Sequence, residues 1–215
     1  MGTVYRLRRQ IPLAIFRGLL RLFTRCEIHG RENIPTSGPL IIAFNHLGHL
    51  DGPLVISAMP FNVEAIALSD LYRVPVTGQL LRLYGVIPVH RDAFDREVLR
   101  RALEVLGNGG VLTLAPEARQ SPTGALVKAR DGVAYLAMRS RARVLPVALT
   151  GTEKVYSEWK QLRRPRLTLT IGEPFSLPQL TGVGTERRRQ LSEATDMVMR
   201  RIAALLPPEY RGVYG

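Results

Sequence analysis

Cysteine and long apolar runs are nearly absent from this sequence of 215 residues. The one cysteine, Cys26, cannot form a disulfide within the chain, and a protein without disulfides is typical of the cytosol or of a surface that faces it. The sequence contains no run of about 18 uncharged apolar residues, the length that a membrane-spanning helix needs. We therefore expect any contact with a membrane to be interfacial.

Acidic residues are also few: the sequence has 18 aspartates and glutamates and 30 lysines and arginines, which gives a formal net charge of +12. Such a positive field attracts polyanions, namely nucleic acid, anionic lipid surfaces or phosphorylated substrates. Only three of the basic residues are lysines, and the arginine side chain suits bidentate recognition of phosphate. A genome that favours arginine codons would produce the same composition, so charge alone does not choose among these partners.

Aromatic residues make up 7% of the chain, and few lie near its arginine clusters. Proteins that bind single-stranded nucleic acid interleave basic with aromatic side chains. No RNA- or DNA-binding motif accompanies the arginines here, and runs of charge are more often solvated faces. We therefore expect no nucleic-acid partner. The clusters that keep this alternative open are residues 139–143, 163–166 and 187–189.

The N-terminal segment "VYRLRRQIPLAIFRGLLRLFTR" (4–25) is rich in arginine and has no acidic residue. As a helix it places Arg17, Arg21 and Arg25 in a stripe beside a wide apolar face. A helix of this kind is typical of a membrane interface, where basic groups meet lipid phosphates and apolar groups enter the acyl boundary. Docking onto the body of the protein is the alternative. We assign residues 1–27 to this amphipathic segment, whose apolar face would contain Ile15, Leu19, Leu22 and Phe23.

Residues 28–215 are predicted to form a single domain. Short apolar runs predict strands at 39–44, 63–68, 85–89, 110–115, 143–149 and 166–171. Helices are predicted after Asp51, over 93–106 with Asp92 as the cap, near 131–138 and over 185–206. This alternation predicts an α/β fold with a mostly parallel or mixed sheet flanked by helices, preceded by the N-terminal amphipathic helix.

Three polar clusters directly follow predicted strands. They are "NHLGHLD" (45–51), "HRD" (90–92) and "PEARQSPTG" (116–124). Ligand sites in parallel sheets gather at the carboxyl ends of strands. We therefore expect the three clusters to converge on one rim of the sheet and to form a site there.

The first cluster contains His46 and Asp51, which an uninterrupted helix would turn away from each other. Gly48 and the pair Gly52 and Pro53 permit a bend, with His46 in a strand-to-helix turn and Asp51 at or near the helix N-cap. The carboxylate could then orient the imidazole as a general base. Because no G-x-S-x-G elbow is present, the attacking nucleophile is expected to be a substrate hydroxyl.

Two other interpretations of this cluster stay open. Asp51 as a plain helix cap and His46 as a buried histidine bonded to the backbone would need no ligand. A metal site could also be built from His46, His49 and Asp51, with His90 or Glu117 as a remote ligand. Since the spacing matches no known zinc pattern closely, we expect no metal.

The first cluster resembles the N-H-x4-D signature of the glycerolipid acyltransferases, whose members include the 1-acylglycerol-3-phosphate acyltransferases. The resemblance continues through "ENIPTSGPLIIAFNH" (32–46), "GVIPVHR" (85–91), "APEARQSPTG" (115–124) and "VLPVALTG" (144–151), in the family's order. One short motif recurs by chance, whereas four ordered blocks across residues 28–151 are specific. The resemblance implies a glycerol-3-phosphate acyltransferase-like α/β fold and an acyl-transfer reaction.

By the same resemblance, His46 is the general base and Asp51 is the residue that orients it. His49 falls at a variable position of the family and is expected to serve packing or a water contact. Arg91 ends the second block and would hold the phosphate of the acyl acceptor. Glu117 belongs to the third block and is expected at the substrate-binding site.

The third block departs from the family's F-P-E-G-T-R-S. Ala118 stands where the family has glycine, and Gln120 stands where it has arginine. Arg119, one residue earlier, could reach the same anion, with Lys128 in reserve. These two residues complete the expected substrate-binding set.

The resemblance thus implies transfer of a fatty acyl group from a thioester of coenzyme A or acyl carrier protein to the hydroxyl of a lysophospholipid. The expected acceptor is 1-acylglycerol-3-phosphate, giving phosphatidate; another lysolipid or polar acceptor, or a catalytically silent lipid-binding homologue, is the alternative. No metal or cofactor is expected. The expected location is peripheral (monotopic), on the cytoplasmic face of a membrane, with acyl carrier protein as a further candidate partner. The sequence does not indicate an oligomeric state.

Overall fold

The computed structural model describes residues 3–89 and 96–215. Its strands form one seven-stranded sheet. They are β1 (Arg25–His29), β2 (Leu40–Phe44), β3 (Glu64–Leu68), β4 (Ile87–Val89), β5 (Val111–Leu114), β6 (Arg143–Thr150) and β7 (Arg166–Ile171). The α-helices of the described residues are α1 (Thr3–Phe23), α2 (Asp51–Ala58), α3 (Thr77–Tyr84), α4 (Arg96–Gly107), α5 (Gly132–Ser140), α6 (Val155–Lys160) and α7 (Gly184–Ala204).

The strand order across the sheet is β1-β7-β6-β2-β5-β3-β4. The five strands from β6 to β4 are parallel, so all of them end at one edge of the sheet, which we call the carboxyl rim. β7 is antiparallel to β6 and parallel to β1, so these two strands begin at that rim. The predicted α/β fold with a mostly parallel or mixed sheet is confirmed.

The core lies in two apolar layers, one on each face of the sheet. One layer packs the sheet against α1, α2 and α3, and the other packs it against α4, α5 and α7. The five residues of β2 show how the sequence produces this arrangement. Leu40, Ile42 and Phe44 enter the first layer, whereas Ile41 and Ala43 enter the second, because successive side chains of a strand point to opposite faces. A central parallel strand is covered on both faces, which explains its uninterrupted apolar run.

α1 packs on the body of the protein through one of its faces. Leu13 and Leu20 are buried in the first apolar layer. Arg9 is also buried, and its two terminal nitrogens donate to the Glu64 carboxylate at 2.6 and 2.7 Å. Its Nε donates to the carbonyl of Tyr84 at 2.7 Å. A buried guanidinium with this bidentate partner fixes the helix on the sheet.

The predicted arginine stripe of α1 is present only in part. Arg25 lies in β1, not in the helix, and Arg17 is half-buried with its Nε donating to the carbonyl of Ser57 at 2.8 Å. A second face of the helix remains uncovered and apolar. Its exposed side chains are Ile11, Ile15, Leu19, Leu22 and Phe23.

Three elements were not predicted from the sequence: β1, α3 and α6. β1 crosses the boundary predicted at residue 27, so the break between α1 and the sheet lies at Thr24. The predicted cap of α4, Asp92, lies outside the described residues. Within the described ranges, no helix combines the length and apolar character that crossing a bilayer requires.

Candidate active site

The turn between β2 and α2 is tied to the neighbouring strand β6 by Asn45. Its side-chain nitrogen donates to the carbonyl of Leu149 at 2.9 Å, and its side-chain oxygen accepts the backbone N–H of Leu149 at 2.7 Å. The buried amide thus extends the pairing of β2 with β6 by one residue after the strand ends. This contact fixes the chain immediately before His46.

His46 and Asp51 are in contact at the carboxyl rim. His46 Nδ1 lies 2.8 Å from Asp51 Oδ2, and the same oxygen accepts the backbone N–H groups of Leu47 at 2.6 Å and Gly48 at 2.7 Å. Asp51 is the first residue of α2, and its side chain reaches back over the turn that precedes the helix. A Cβ at Gly48 would lie 3.2 Å from the carbonyl oxygen of Thr152, a close contact that glycine avoids.

This geometry assigns different tasks to the two nitrogens of the imidazole. A carboxylate can only accept, so Nδ1 carries the proton and Nε2 is left as an acceptor. The Asp51 side chain is fully buried, whereas 26% of the His46 side chain is exposed. Only the imidazole can therefore meet a substrate, and Asp51 can act on it only through His46.

Glu117 holds the backbone of His46 in place. One of its carboxylate oxygens accepts the N–H of His46 at 2.9 Å and the other accepts the N–H of Val127 at 2.9 Å. The residue is 3% exposed. Burial raises the pKa of Glu117, against the opposing effect of these two N–H groups and of the nearby His46. Both oxygens already have partners, so the geometry supports a bracing role, and the expected contact with substrate stays a prediction.

The loop after β5 also holds the backbone of His46 from its carbonyl side, because the N–H of Ser121 donates to it at 2.7 Å. Ala118, which stands at the glycine position of the family motif, has a φ of 53°. That left-handed conformation favours glycine and costs an alanine about 1 kcal/mol. At Ala118 the altered block thus has a backbone conformation that a glycine would adopt without this cost.

The two predicted cations of the loop after β5 lie at the surface. The side chains of Arg119 and Lys128 are exposed and have no hydrogen bond or ion pair to the described part of the chain. Gln120 Nε2 lies 3.2 Å from Nδ1 of the exposed His49, so the glutamine contacts the histidine at the variable position. Arg91 and His90 lie outside the described residues. β4, which precedes them, ends at the carboxyl rim and is separated from β2 by β5 and β3.

The described residues of this site do not form a set of metal ligands. Across residues 3–89 and 96–215, no three His, Cys, Asp or Glu side chains are grouped as a metal ion would require. His46 faces Asp51 and His49 faces Gln120, so the two histidines of the first cluster have different partners.

The fold and the site together define an α/β protein with an imidazole oriented by a buried carboxylate at the carboxyl end of a central strand. The model of the Acyltransferase family matches residues 25–150, more than half of the chain, and covers the four sequence blocks except for the last residue of the fourth. The chain belongs to this family.

Two relatives of the chain carry the same activity in their names. The 1-acyl-sn-glycerol-3-phosphate acyltransferase of Bacillus subtilis is 23% identical over 189 residues, which cover 87% of this chain and 91% of the relative. The chloroplastic enzyme LPAT1 of Arabidopsis thaliana, with the same activity in its name, is 26% identical over 180 residues. That alignment covers 81% of this chain but 50% of the plant protein, so the chain spans about half the length of this relative.

A solved structure shares the fold. The crystal structure of the 1-acyl-sn-glycerophosphate (LPA) acyltransferase PlsC from Thermotoga maritima superposes with a TM-score of 0.64. The match covers 95% of this chain and 84% of that protein at 23% sequence identity. At this identity the likeness establishes the fold.

Proposed function

We propose that this protein transfers a fatty acyl group from an acyl thioester to the hydroxyl of a lysophospholipid, with 1-acylglycerol-3-phosphate as the acceptor and phosphatidate as the product. The observation that carries the proposal is the contact between His46 Nδ1 and the buried Asp51 carboxylate, which leaves Nε2 of a partly exposed imidazole as a proton acceptor. The activity named for the relatives from Bacillus subtilis and Arabidopsis thaliana supports the choice of acceptor.

In the proposed reaction, His46 Nε2 removes the proton of the acceptor hydroxyl as its oxygen attacks the thioester carbonyl. The negative charge of Asp51 stabilises the imidazolium that forms. Collapse of the tetrahedral intermediate breaks the carbon–sulfur bond, and the imidazolium returns its proton to the departing thiolate. The products are an ester and a free thiol. A positioned base of this kind contributes about 10²–10⁴-fold, and alignment of the two bound substrates adds to it.

The phosphate of the acceptor needs cationic partners near His46. Arg119 and Lys128 are candidates, because they lie on the loop after β5, the strand beside β2, and their exposed side chains have no partner in the described part of the chain. Arg91, the residue that ends the second block, is the third candidate. A guanidinium would bind the phosphate through two parallel hydrogen bonds. The acyl donor is a thioester of coenzyme A or of acyl carrier protein, and no cofactor takes part.

The acceptor is a lipid, so the carboxyl rim has to reach a membrane surface. The uncovered apolar face of α1 supports a peripheral attachment, as in helices that lie in the interface, and we propose the cytoplasmic face as its side. The inner face of the same helix stays on the sheet through the ion pair between Arg9 and Glu64. The helix would thus join the catalytic domain rigidly to the lipid.

The direct test is ester formation by purified protein in detergent micelles, with labelled acyl-CoA or acyl carrier protein and a panel of lysophospholipids. His46→Ala should abolish transfer to 1-acylglycerol-3-phosphate. His49→Ala is the matched control, since it removes an exposed imidazole three residues away, and it should keep the activity. Transfer only to a different acceptor would show that the altered third block changes specificity. Folded protein without activity toward either donor would refute the proposal and favour a lipid-binding homologue.

A further inference from the structure

Exposed aromatic and apolar side chains concentrate where α6 meets the end of α1. Tyr156 is 53% exposed, Trp159 is 36% exposed and Leu162 is 97% exposed, the last with a φ of 56° directly after the helix. Leu22 and Phe23 are exposed at the end of α1. We call these five side chains the α1/α6 patch.

Hydrogen bonds join the two parts of the patch into one surface. The indole N–H of Trp159 donates to the carbonyl of Phe23 at 3.0 Å. Arg164, just after α6, donates to the carbonyls of Arg21 at 2.6 Å and Thr24 at 2.7 Å. The rings of Tyr156 and Trp159 meet edge to face at 6.1 Å. The hydrogen bond to Phe23 occupies the indole N–H, so the exposed part of Trp159 is largely apolar.

The patch lies at the same edge of the sheet as His46. α6 follows β6, which ends at the carboxyl rim, and β7 begins there because Thr150 of β6 pairs with Thr168 of β7. β1 begins beside β7, with Arg25 opposite Arg166. β7 is two strands from β2 and β1 is three. At a strand spacing of about 4.8 Å, the patch therefore lies roughly 10–15 Å along the rim from the strand that carries His46.

Positive charge surrounds the patch. The exposed basic side chains around it are Arg21, Arg25, Lys160 and Arg163. The acidic residues of this region are Glu153 and Glu158, which are half-buried, and the exposed Glu27, whose carboxylate lies 3.6 Å from His29. Tyrosine and tryptophan with apolar neighbours and a basic border are the side chains that the headgroup region of an anionic bilayer accepts.

We propose that the α1/α6 patch inserts into the interface of an anionic phospholipid bilayer and brings the carboxyl rim with His46 to the lipid surface. This inference rests on the proposed function, because a lipid acceptor is what the rim would have to reach. It adds α6 to the membrane contact made by α1. A second attachment point on the same rim restrains the tilt of the sheet against the lipid more than α1 would by itself.

Trp159 makes the proposal directly measurable, because it is the one tryptophan of the chain. Vesicles of phosphatidylcholine with phosphatidylglycerol should shift its emission to the blue, and brominated acyl chains should quench it. Vesicles of phosphatidylcholine alone should bind at least tenfold more weakly. Unchanged emission on vesicles that bind the protein, or equal affinity for the two compositions, would overturn the proposal.

The variant Leu162→Asp tests the patch itself. Aspartate is among the residues that tolerate a left-handed backbone, and the position is solvent-exposed, so the fold should persist. Loss of one inserted leucine should weaken vesicle binding at least tenfold. Val183→Asp, a change at an exposed apolar residue just before α7, is the matched control and should bind like the wild type.

Activity assays distinguish the proposal for the α1/α6 patch from the proposed function on which it rests. If the proposed function holds, Leu162→Asp should retain acyl transfer in detergent micelles and should show a raised KM for acceptor embedded in vesicles. If Leu162→Asp binds vesicles as tightly as the wild type does, and the wild type transfers acyl groups, the proposal for the α1/α6 patch is wrong and the proposed function stands. A blue shift that depends on protein concentration without lipid, together with a dimer that Leu162→Asp disrupts, would assign the patch to a second copy of the chain and overturn the bilayer proposal.

Discussion

Replacing Asp51 with asparagine separates the charge of this carboxylate from its geometry. Oδ2 accepts N–H groups from Leu47, Gly48 and His46 at 2.6, 2.7 and 2.8 Å. An amide nitrogen in that position would face two backbone N–H donors, so the asparagine has to place its oxygen there. Its NH2 group then occupies the position of Oδ1, which has no hydrogen-bond partner in the described part of the chain. His46 would keep its tautomer and lose only the neighbouring negative charge.

The size of the effect follows from the charge pair. Opposite unit charges attract by about 4 kcal/mol at about 4 Å and an effective dielectric constant of about 20. Because 26% of the His46 side chain is exposed, water screens part of this attraction. We expect Asp51→Asn to remove about 2–3 kcal/mol of transition-state stabilisation, so that kcat falls about 30- to 150-fold with an unchanged KM for the acceptor. The three N–H groups at Oδ2 would then donate to a neutral acceptor in place of a charged one, which should also lower the free energy of unfolding by about 1–3 kcal/mol.

Single-turnover acyl transfer in micelles measures the first effect, and urea unfolding measures the second. A fall in kcat of about 10⁴-fold would mean that the asparagine is reversed and holds His46 in the wrong tautomer. Wild-type kcat in a folded variant would refute the reasoning altogether, because the charge of Asp51 would then play no part in the reaction.

Two further predictions concern the groups that hold the site and α1. Glu117→Gln should lower the free energy of unfolding by about 1–3 kcal/mol, since an amide NH2 would face the N–H of His46 or Val127. Burial raises the pKa of Glu117, so wild-type stability should decline as pH rises from the ordinary glutamate range through that pKa, and urea unfolding of the glutamine variant should lack this slope. Arg9→Met should cost about 3–5 kcal/mol because it leaves the Glu64 carboxylate unpaired beneath α1, and Arg9→Met with Glu64→Leu should recover most of the loss. Thermal unfolding of the single variant at the wild-type temperature would show that α1 does not rest on the sheet in solution.

The sequence pattern identified the elements that have a long helical repeat or an uninterrupted apolar run. The continuous apolar run of β2 and the helical repeat of α7 were recognised within two residues of their bounds. β1 was missed because "RCEIH" is a half-exposed edge strand, and its pairing partner β7 lies far along the chain. α6 has six residues, too few for a helical repeat to show.

The candidate site likewise contains contacts that the local sequence predicts and contacts that it does not. The contact of His46 with Asp51 was expected from local spacing, because the glycines between and after them permit the bend. The contacts of Asn45 with β6 and of Glu117 with the His46 backbone were not expected, since they join residues 104 and 71 positions apart in the chain. Only the placement of β2 between β6 and β5 brings these groups together. The position of each cluster after a strand predicts the shared rim, but the sequence does not indicate which strands are neighbours.

The residues that hold the His46 backbone in place include two from the altered third block. Glu117 and Ser121 hold the His46 backbone from the β5 side, and neither is among the substituted positions. Ala118, at the glycine position of the motif, has the left-handed conformation that glycine favours. Gln120, the replacement for the motif arginine, points to the surface and contacts the exposed His49. The substitutions therefore change what the loop presents to the acceptor and leave the support of the imidazole intact. Variation in this block should accordingly alter the choice of acceptor more than the chemical step.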